Sequence, residues 1–172
     1  MNNPKKNGVI TVNCNIPPDS RSSQFLHTFW RVNRNMMRFI HKTALENDLS
    51  IPQYSILMTI APRKEMTQKQ LGEVLQIPKS TLSTAVDGLV QTEWLHRQPV
   101  PDNRREMQLI LSEKGNSLFE KISQQKGSIH RTIESIMDTL TEQQFEEFQT
   151  TLLHIADFLE SETISKENNP DD

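Results

Sequence analysis

Between residues 66 and 111 the hydrophobic period changes from helical to alternating, and that switch restricts the fold more than any other feature of the chain. Thr67 and Gln70 have the spacing of a capping box, the threonine accepting from the Gln70 N–H while the glutamine side chain reaches back. Leu71, Val74 and Leu75 follow at helical spacing. Ile77-Pro78 ends this helix, because a residue before proline is pushed out of the α region. A second helix, starting at Pro78-Lys79 or at Ser80 and running to about Thr92, carries Leu82, Ala85, Val86, Leu89 and Val90 as one apolar stripe. Period two then takes over. Leu95, Arg97, Met107, Leu109 and Leu111 alternate as half-buried strands do, and Pro99, Pro101, Asp102 and Asn103 supply the turn. Two short helices, a tight connection and a strand-turn-strand are the order of a helix-turn-helix followed by a wing, for which a double-stranded DNA groove is the expected partner.

The polar residues of this stretch fit that partner. Opposite its apolar stripe the second helix bears Lys79, Ser80, Thr81, Ser83, Thr84 and Asp87, so its first two turns combine short hydroxyls with one lysine. Hydroxyls bond base edges or phosphates, and helix N-termini favour phosphate. Lys69 and Gln70 on the first helix and Arg97 at the wing complete the near set, while Arg104 and Arg105 follow the turn, where a guanidinium can enter a minor groove. The plainer alternatives are a solvated helix face with hydroxyls as caps, and a solvated arginine pair beside Asp102 or Glu106.

The flanks extend the pattern. A first helix from about Asp19-Ser20 to Asn47 has an apolar stripe from Leu26, Phe29 and Trp30 to Ile40 and Ala44, with Arg31, Arg34, Arg38 and Lys42 along another side. A further helix starts at Pro52 and stops at Pro62. Beyond the wing, Ser112 caps a long segment periodic through Leu118, Ile122, Ile129, Ile133, Ile136 and Leu140, interrupted by Gly127. Thr141 and Gln144 form another capping box before a last helix with Phe145, Phe148, Leu152, Ile155 and Leu159. Long amphipathic helices at both chain ends have more apolar surface than a small winged unit covers, which points to a dimer interface. Two copies of the reading helix about 34 Å apart match successive major grooves, so a palindromic site is expected.

The fold class is therefore mainly α with a small β-wing: a winged helix-turn-helix core at 51–112, dimerisation helices at 21–50 and 115–160, a flexible arm at 1–20 and a disordered acidic tail at 161–172. The formal charge of −3 hides an asymmetry: nine Lys/Arg against three Asp/Glu over residues 1–64, five against five over 65–105, and five against fourteen over 106–172. Local charge steers encounter with phosphate, so the acidic last third leaves a DNA partner open.

Cys14 alone forms no internal disulfide, and five scattered histidines form no metal-ligand cluster, so no metal and no cofactor are expected. With neither a secretory signal nor an apolar run of about 18 residues, a cytosolic location is expected. A glycine-rich phosphate loop, a serine elbow and a paired-carboxylate motif are all missing, so an enzyme is not expected. The rival from another class is a winged-helix protein-interaction module without sequence-specific DNA binding.

Five pieces in one order make the chain resemble the MarR family of bacterial transcription regulators: Ile51-Pro52-Gln53-Tyr54; Met66-Thr67 to Leu75; Ser80-Thr81-Leu82-Ser83 to Asp87-Gly88-Leu89; Asp102-Asn103-Arg104-Arg105; and Leu111-Ser112-Glu113-Lys114-Gly115. The resemblance implies a homodimer held by its terminal helices, a repressor whose Ser80-to-Thr84 helix enters the major groove of a palindromic operator, and a wing touching the minor groove. It also implies release by a small aromatic or phenolic effector bound between the dimer helices and the winged unit, with His27, Trp30, Arg34, Tyr54 and Met58 as candidates. Counting back from Leu111-Ser112, the family's wing Asp falls on Asn103 and its tip arginine on Arg105. The glycine common before the first wing strand is replaced by Thr92-Glu93-Trp94. The cysteine position by which some relatives sense peroxide falls near Leu26, which leaves Cys14 incidental.

Overall fold

The computed structural model describes residues 20–101 and 103–167, apart from the side chains of Arg104, Arg105 and 163–167. Residues 1–19 of the arm expected at 1–20, with Cys14, and the turn residue Asp102 lie outside the described residues. The chain divides into two compact units, one ending at Arg38 and one beginning at Phe39.

Helix α1 (Arg21–Glu46) starts where Ser20 Oγ accepts the Ser23 N–H at 3.1 Å. In the first unit its aromatic residues group along the helix, Phe25 stacking on Phe29 and Trp30 meeting Phe29 edge-on, each pair with ring centroids 5.9 Å apart. Phe25, Leu26, Phe29 and Trp30 are all exposed.

In the second unit the last turns of α1 bury Thr43 and Ala44 before the chain turns through left-handed Asp48. Helix α2 (Ile51–Ile60) opens with a capping box between Ser50 and Gln53, one residue ahead of the expected start at Pro52. Pro62 sits within a 3-10 turn, Ala61–Arg63, that ends this stretch. A short strand β1 (Glu65–Thr67) leads into α3 (Gln68–Leu75), and α4 (Lys79–Gln91) follows. The wing strands are β2 (Leu95–Val100) and β3 (Asn103–Leu111). The antiparallel sheet runs β1-β3-β2, with Met66 opposite Leu109, Leu95 opposite Leu111 and an irregularity at Pro99/Val100.

The core lies where α2, α3 and α4 meet this sheet. Ile56, Leu57, Ile60, Leu71, Val86, Leu89, Leu95 and Leu109 are almost fully buried in it. Burying side chains of this size contributes about 1.5–3 kcal/mol each relative to exposure, which makes the interlocked helices and sheet a stiff platform for whatever the outer face of α4 carries.

Two expectations need correcting. The long helix after Ser112 is divided into α5 (Glu113–Gln124) and α6 (Ile129–Met137). Gly127 adopts φ 79°, open to glycine without a Cβ penalty, and Ser128 then caps α6 by accepting the Arg131 N–H at 3.2 Å. The acidic tail expected from residue 161 is helical through Glu167, because α7 (Glu142–Glu167) continues past Ser161. Residues 161–167 contain neither Gly nor Pro, and their acidic and hydroxyl side chains tolerate a helix. Residues 168–172 lie outside the described residues. Helix α7 begins at the expected box, Thr141 Oγ1 accepting from Gln144 N at 3.2 Å and Gln144 Oε1 from Thr141 N at 2.9 Å.

Candidate nucleic-acid interface

The helix pair is set by its ends. Thr67 Oγ1 accepts the Gln70 N–H at 3.1 Å and Gln70 Oε1 accepts the Thr67 N–H at 2.9 Å, the expected box in full. That bond occupies the carbonyl of the Gln70 side chain. Helix α3 closes on left-handed Gln76, whose N–H reaches Gly72 O at 2.9 Å. Pro78 then starts α4 without needing a donor, since the first N–H groups of a helix have no intrahelical acceptor.

Helix α4 buries Leu82, Ala85, Val86 and Leu89, so the residues between them face outward. Lys79, Ser80, Thr84 and Asp87 are exposed, while Thr81 and Ser83 are half-buried. A groove of about 390 Å³ lies between α4 and the start of α2, lined by Ser50, Pro52 and Gln53 on one wall and Ser80, Thr81, Thr84 and Ala85 on the other. A second, about 720 Å³, separates α3 and α4 from the sheet, with Lys69, Lys79 and Arg97 near Glu73 and Glu106. Lys69 approaches Glu73 at 3.9 Å, an exposed i,i+4 pair that leaves the ammonium free to exchange partners.

Arg97 is placed differently from the other expected contacts. Its guanidinium donates to Asp87 Oδ1 and to Gln68 Oε1, both at 2.9 Å, so both arms are engaged within the protein. Gln68 in turn donates to Ser83 Oγ at 3.4 Å. Sequence reading missed Gln68 altogether: its role comes from a contact 29 residues along the chain, which no local pattern signals. Arg104 and Arg105 fall on β3 just past the wing tip.

The effector candidates are divided between the two units. His27, Trp30 and Arg34 are exposed on α1, and Trp30 is 60% exposed. Tyr54 is a core residue whose buried hydroxyl has no partner among the described residues, and desolvation pushes its pKa above the ordinary 10.0. Met58 is half-buried, with its sulfur 3.2 Å from His130 Nε2. Among the described residues no group of three His, Cys, Asp or Glu is placed to hold a metal ion, and no helix is long and apolar enough to cross a membrane.

The MarR family model matches residues 49–107, the span from the start of α2 into β3. The transcriptional regulator PecS of Dickeya dadantii (strain 3937) is 29% identical over 109 residues, an alignment covering 62% of this chain and 66% of PecS. Over residues 49–107 this chain carries a MarR family domain. Solved structures agree on its fold. NadR in complex with 4-hydroxyphenylacetate superposes with a TM-score of 0.68 at 16% identity, covering 82% of this chain and 98% of NadR. Sco3205, a MarR family transcriptional regulator from Streptomyces coelicolor in complex with DNA, gives a TM-score of 0.64 at 19% identity, covering 81% and 89% of the two chains. The aligned part of PecS is about two thirds of its length.

Proposed function

We propose that this protein is a sequence-specific double-stranded DNA-binding transcription regulator, a homodimeric repressor of a palindromic operator. The observation that carries this reading is the outer face of α4, where Lys79, Ser80 and Thr84 stand exposed on a helix whose inner face is locked into the core. A rigid helix with hydroxyls and a lysine in its first turns suits the major groove: the lysine meets phosphate, and the hydroxyls meet phosphate or base edges. Lys69 and Thr81 flank that face. Arg104 and Arg105, just past the wing tip, enter the adjacent minor groove and respond to its width and potential. The shared fold of Sco3205, solved in complex with DNA, supports DNA as the partner.

Dimerisation is supported by apolar surface that the single chain leaves bare. Phe145, Phe148, Leu152, Leu153, Phe158 and Leu159 on α7 are each 40–60% exposed, and Phe25, Leu26, Phe29 and Trp30 on α1 are likewise uncovered. Exposed apolar patches of this kind mark association surfaces. A second copy of the same helices buries them and holds two α4 helices at a separation of about 34 Å, one DNA turn. A small aromatic or phenolic effector completes the reading, with the NadR complex as its support. Such a ligand lowers DNA affinity by preferring a dimer whose reading helices are wrongly spaced.

The test is a titration of a palindromic duplex and a scrambled duplex at several salt concentrations. The reading requires tighter binding to the palindrome and a steep linear fall of log K with log salt, as counterions return to the phosphates. Salt-insensitive behaviour with no preference between duplexes would favour a protein-docking module instead.

A further inference from the structure

Behind the outer face of α4 a chain of side-chain hydrogen bonds leaves the helix and returns to it. It starts at Asp87, crosses to Arg97 on β2 at 2.9 Å, passes to Gln68 on α3 at 2.9 Å, and comes back to α4 at Ser83 at 3.4 Å. Asp87 and Ser83 are four residues apart, so they lie on the same side of α4. Among the described residues no other side-chain hydrogen bond joins β2 to α3 or α4. Three elements that a duplex must meet at one fixed angle are thus tied together at a single guanidinium.

Three physical points give this ring a mechanical role. A guanidinium is a planar fork with fixed donor directions, so partners on two different elements hold those elements in one relative orientation. Turning Arg97 toward a phosphate breaks both bonds, and its side chain is only 32% exposed. Asp87 is the third point. A carboxylate 64% exposed on the outer side of a reading helix repels a polyanion, which makes it a liability unless it does something else.

We infer that Arg97 is a positioning residue, which through Asp87 and Gln68 fixes the angle between the wing and α4 so that both engage a duplex at once. The inference rests on the DNA-binding reading above. It makes a prediction opposite in sign to simple electrostatics. Neutralising Asp87 removes repulsion from phosphate and on that ground alone tightens binding, whereas loosening the ring weakens it.

The experiment measures palindrome affinity by fluorescence anisotropy for the full chain, Asp87→Asn, Arg97→Gln and the double variant, with melting curves alongside. Each single variant is expected to bind about tenfold more weakly, and the double variant no more weakly than the worse single, as coupled partners behave. Arg97→Lys, which keeps the charge without the fork, is expected to weaken binding too. Melting temperatures stay close to wild type, because exposed ion pairs add little to stability. If a variant melts early, Gln68→Met opens the same ring from α3 and the same loss of affinity is expected. Tighter binding by Asp87→Asn, or additive losses in the double variant, would overturn the positioning role. Failure of the wild-type chain to bind any duplex would instead overturn the DNA-binding reading beneath it.

Discussion

Glu93, left-handed at φ 63°, offers its carbonyl oxygen to the Ser112 hydroxyl at 2.7 Å, latching the turn before the wing to the cap of α5. Ser112 Oγ also accepts the Gly115 N–H at 2.9 Å, so one hydroxyl holds both the entry of the wing and the start of the helix after it. Glu93, within the Thr92-Glu93-Trp94 stretch where the resemblance leads one to expect a glycine, thus holds a conformation that glycine favours although it carries a Cβ.

Glu93→Gly is therefore expected to stabilise the fold by about 0.5 kcal/mol, the left-handed penalty removed less the extra chain entropy of glycine. The ion pair lost to Lys114, 3.5 Å apart with both side chains well exposed, offsets little of this. Urea denaturation checks it through a higher midpoint at unchanged slope; a lower midpoint would mean that the exposed carboxylate matters more than the backbone.

Gly115→Ala acts on the other side of the latch. A Cβ at Gly115 overlaps the backbone carbonyl oxygen of Trp94 and crowds the Leu111 side chain. Because backbone cannot swing aside, a loss of about 2–3 kcal/mol is expected, seen as a melting temperature several degrees lower. A melting curve matching wild type would show that the α5 start and the wing entry are not held so closely.

Tyr54, the one tyrosine in the chain, gives a prediction about pH. Its hydroxyl is buried without a partner among the described residues, so Tyr54→Phe is expected to change stability at neutral pH by less than about 1 kcal/mol, or to raise it. Burial raises the folded-state pKa above the ordinary 10.0, so the phenol's contribution is complete below that value and is lost as pH rises through the folded pKa. The phenylalanine variant should lose less stability than wild type above pH 10, a comparison made by denaturation at pH 8 and at alkaline pH. Equal alkaline losses would contradict it.

At the proposed DNA face, Thr84→Ala and Arg105→Ala should separate. The threonine stands exposed among the first turns of α4, so on the DNA-binding proposal its loss is expected to change which base is preferred, by up to about 1–3 kcal/mol for a good contact. Arg105→Ala weakens all duplexes alike and lowers the salt slope by about one per bound subunit. Binding-site selection with both variants checks the division, and matching losses on palindromic and random DNA for both would contradict it.

Much of this molecule is legible in its sequence. The Thr67 and Thr141 boxes and the alternation across Leu95, Leu109 and Leu111 are local signals, and the structure realises each one, whereas the stop expected at Ile77-Pro78 comes earlier, at left-handed Gln76. What escaped was non-local. Strand β1 spans three residues and exists because β3 pairs with it, so no periodicity announces it. Gly127 marks an interruption of the period over residues 118–140, but the fresh capped start at Ser128 went unseen, since apolar spacing does not register a change of direction. Val74 shares the spacing of Leu71 but is 54% exposed, because α3 is too short to bury a wide stripe. Arg97 was visible as a charge near the wing, while its partners Asp87 and Gln68 were set only by tertiary packing.

The most direct test of the whole account is sedimentation of the purified protein with and without a duplex that carries a palindrome selected by the protein from random sequence. The account predicts a dimer in the absence of DNA and one dimer per palindrome in its presence, with half-sites one helical turn apart. A monomer that leaves the duplex unbound at micromolar concentration would contradict it.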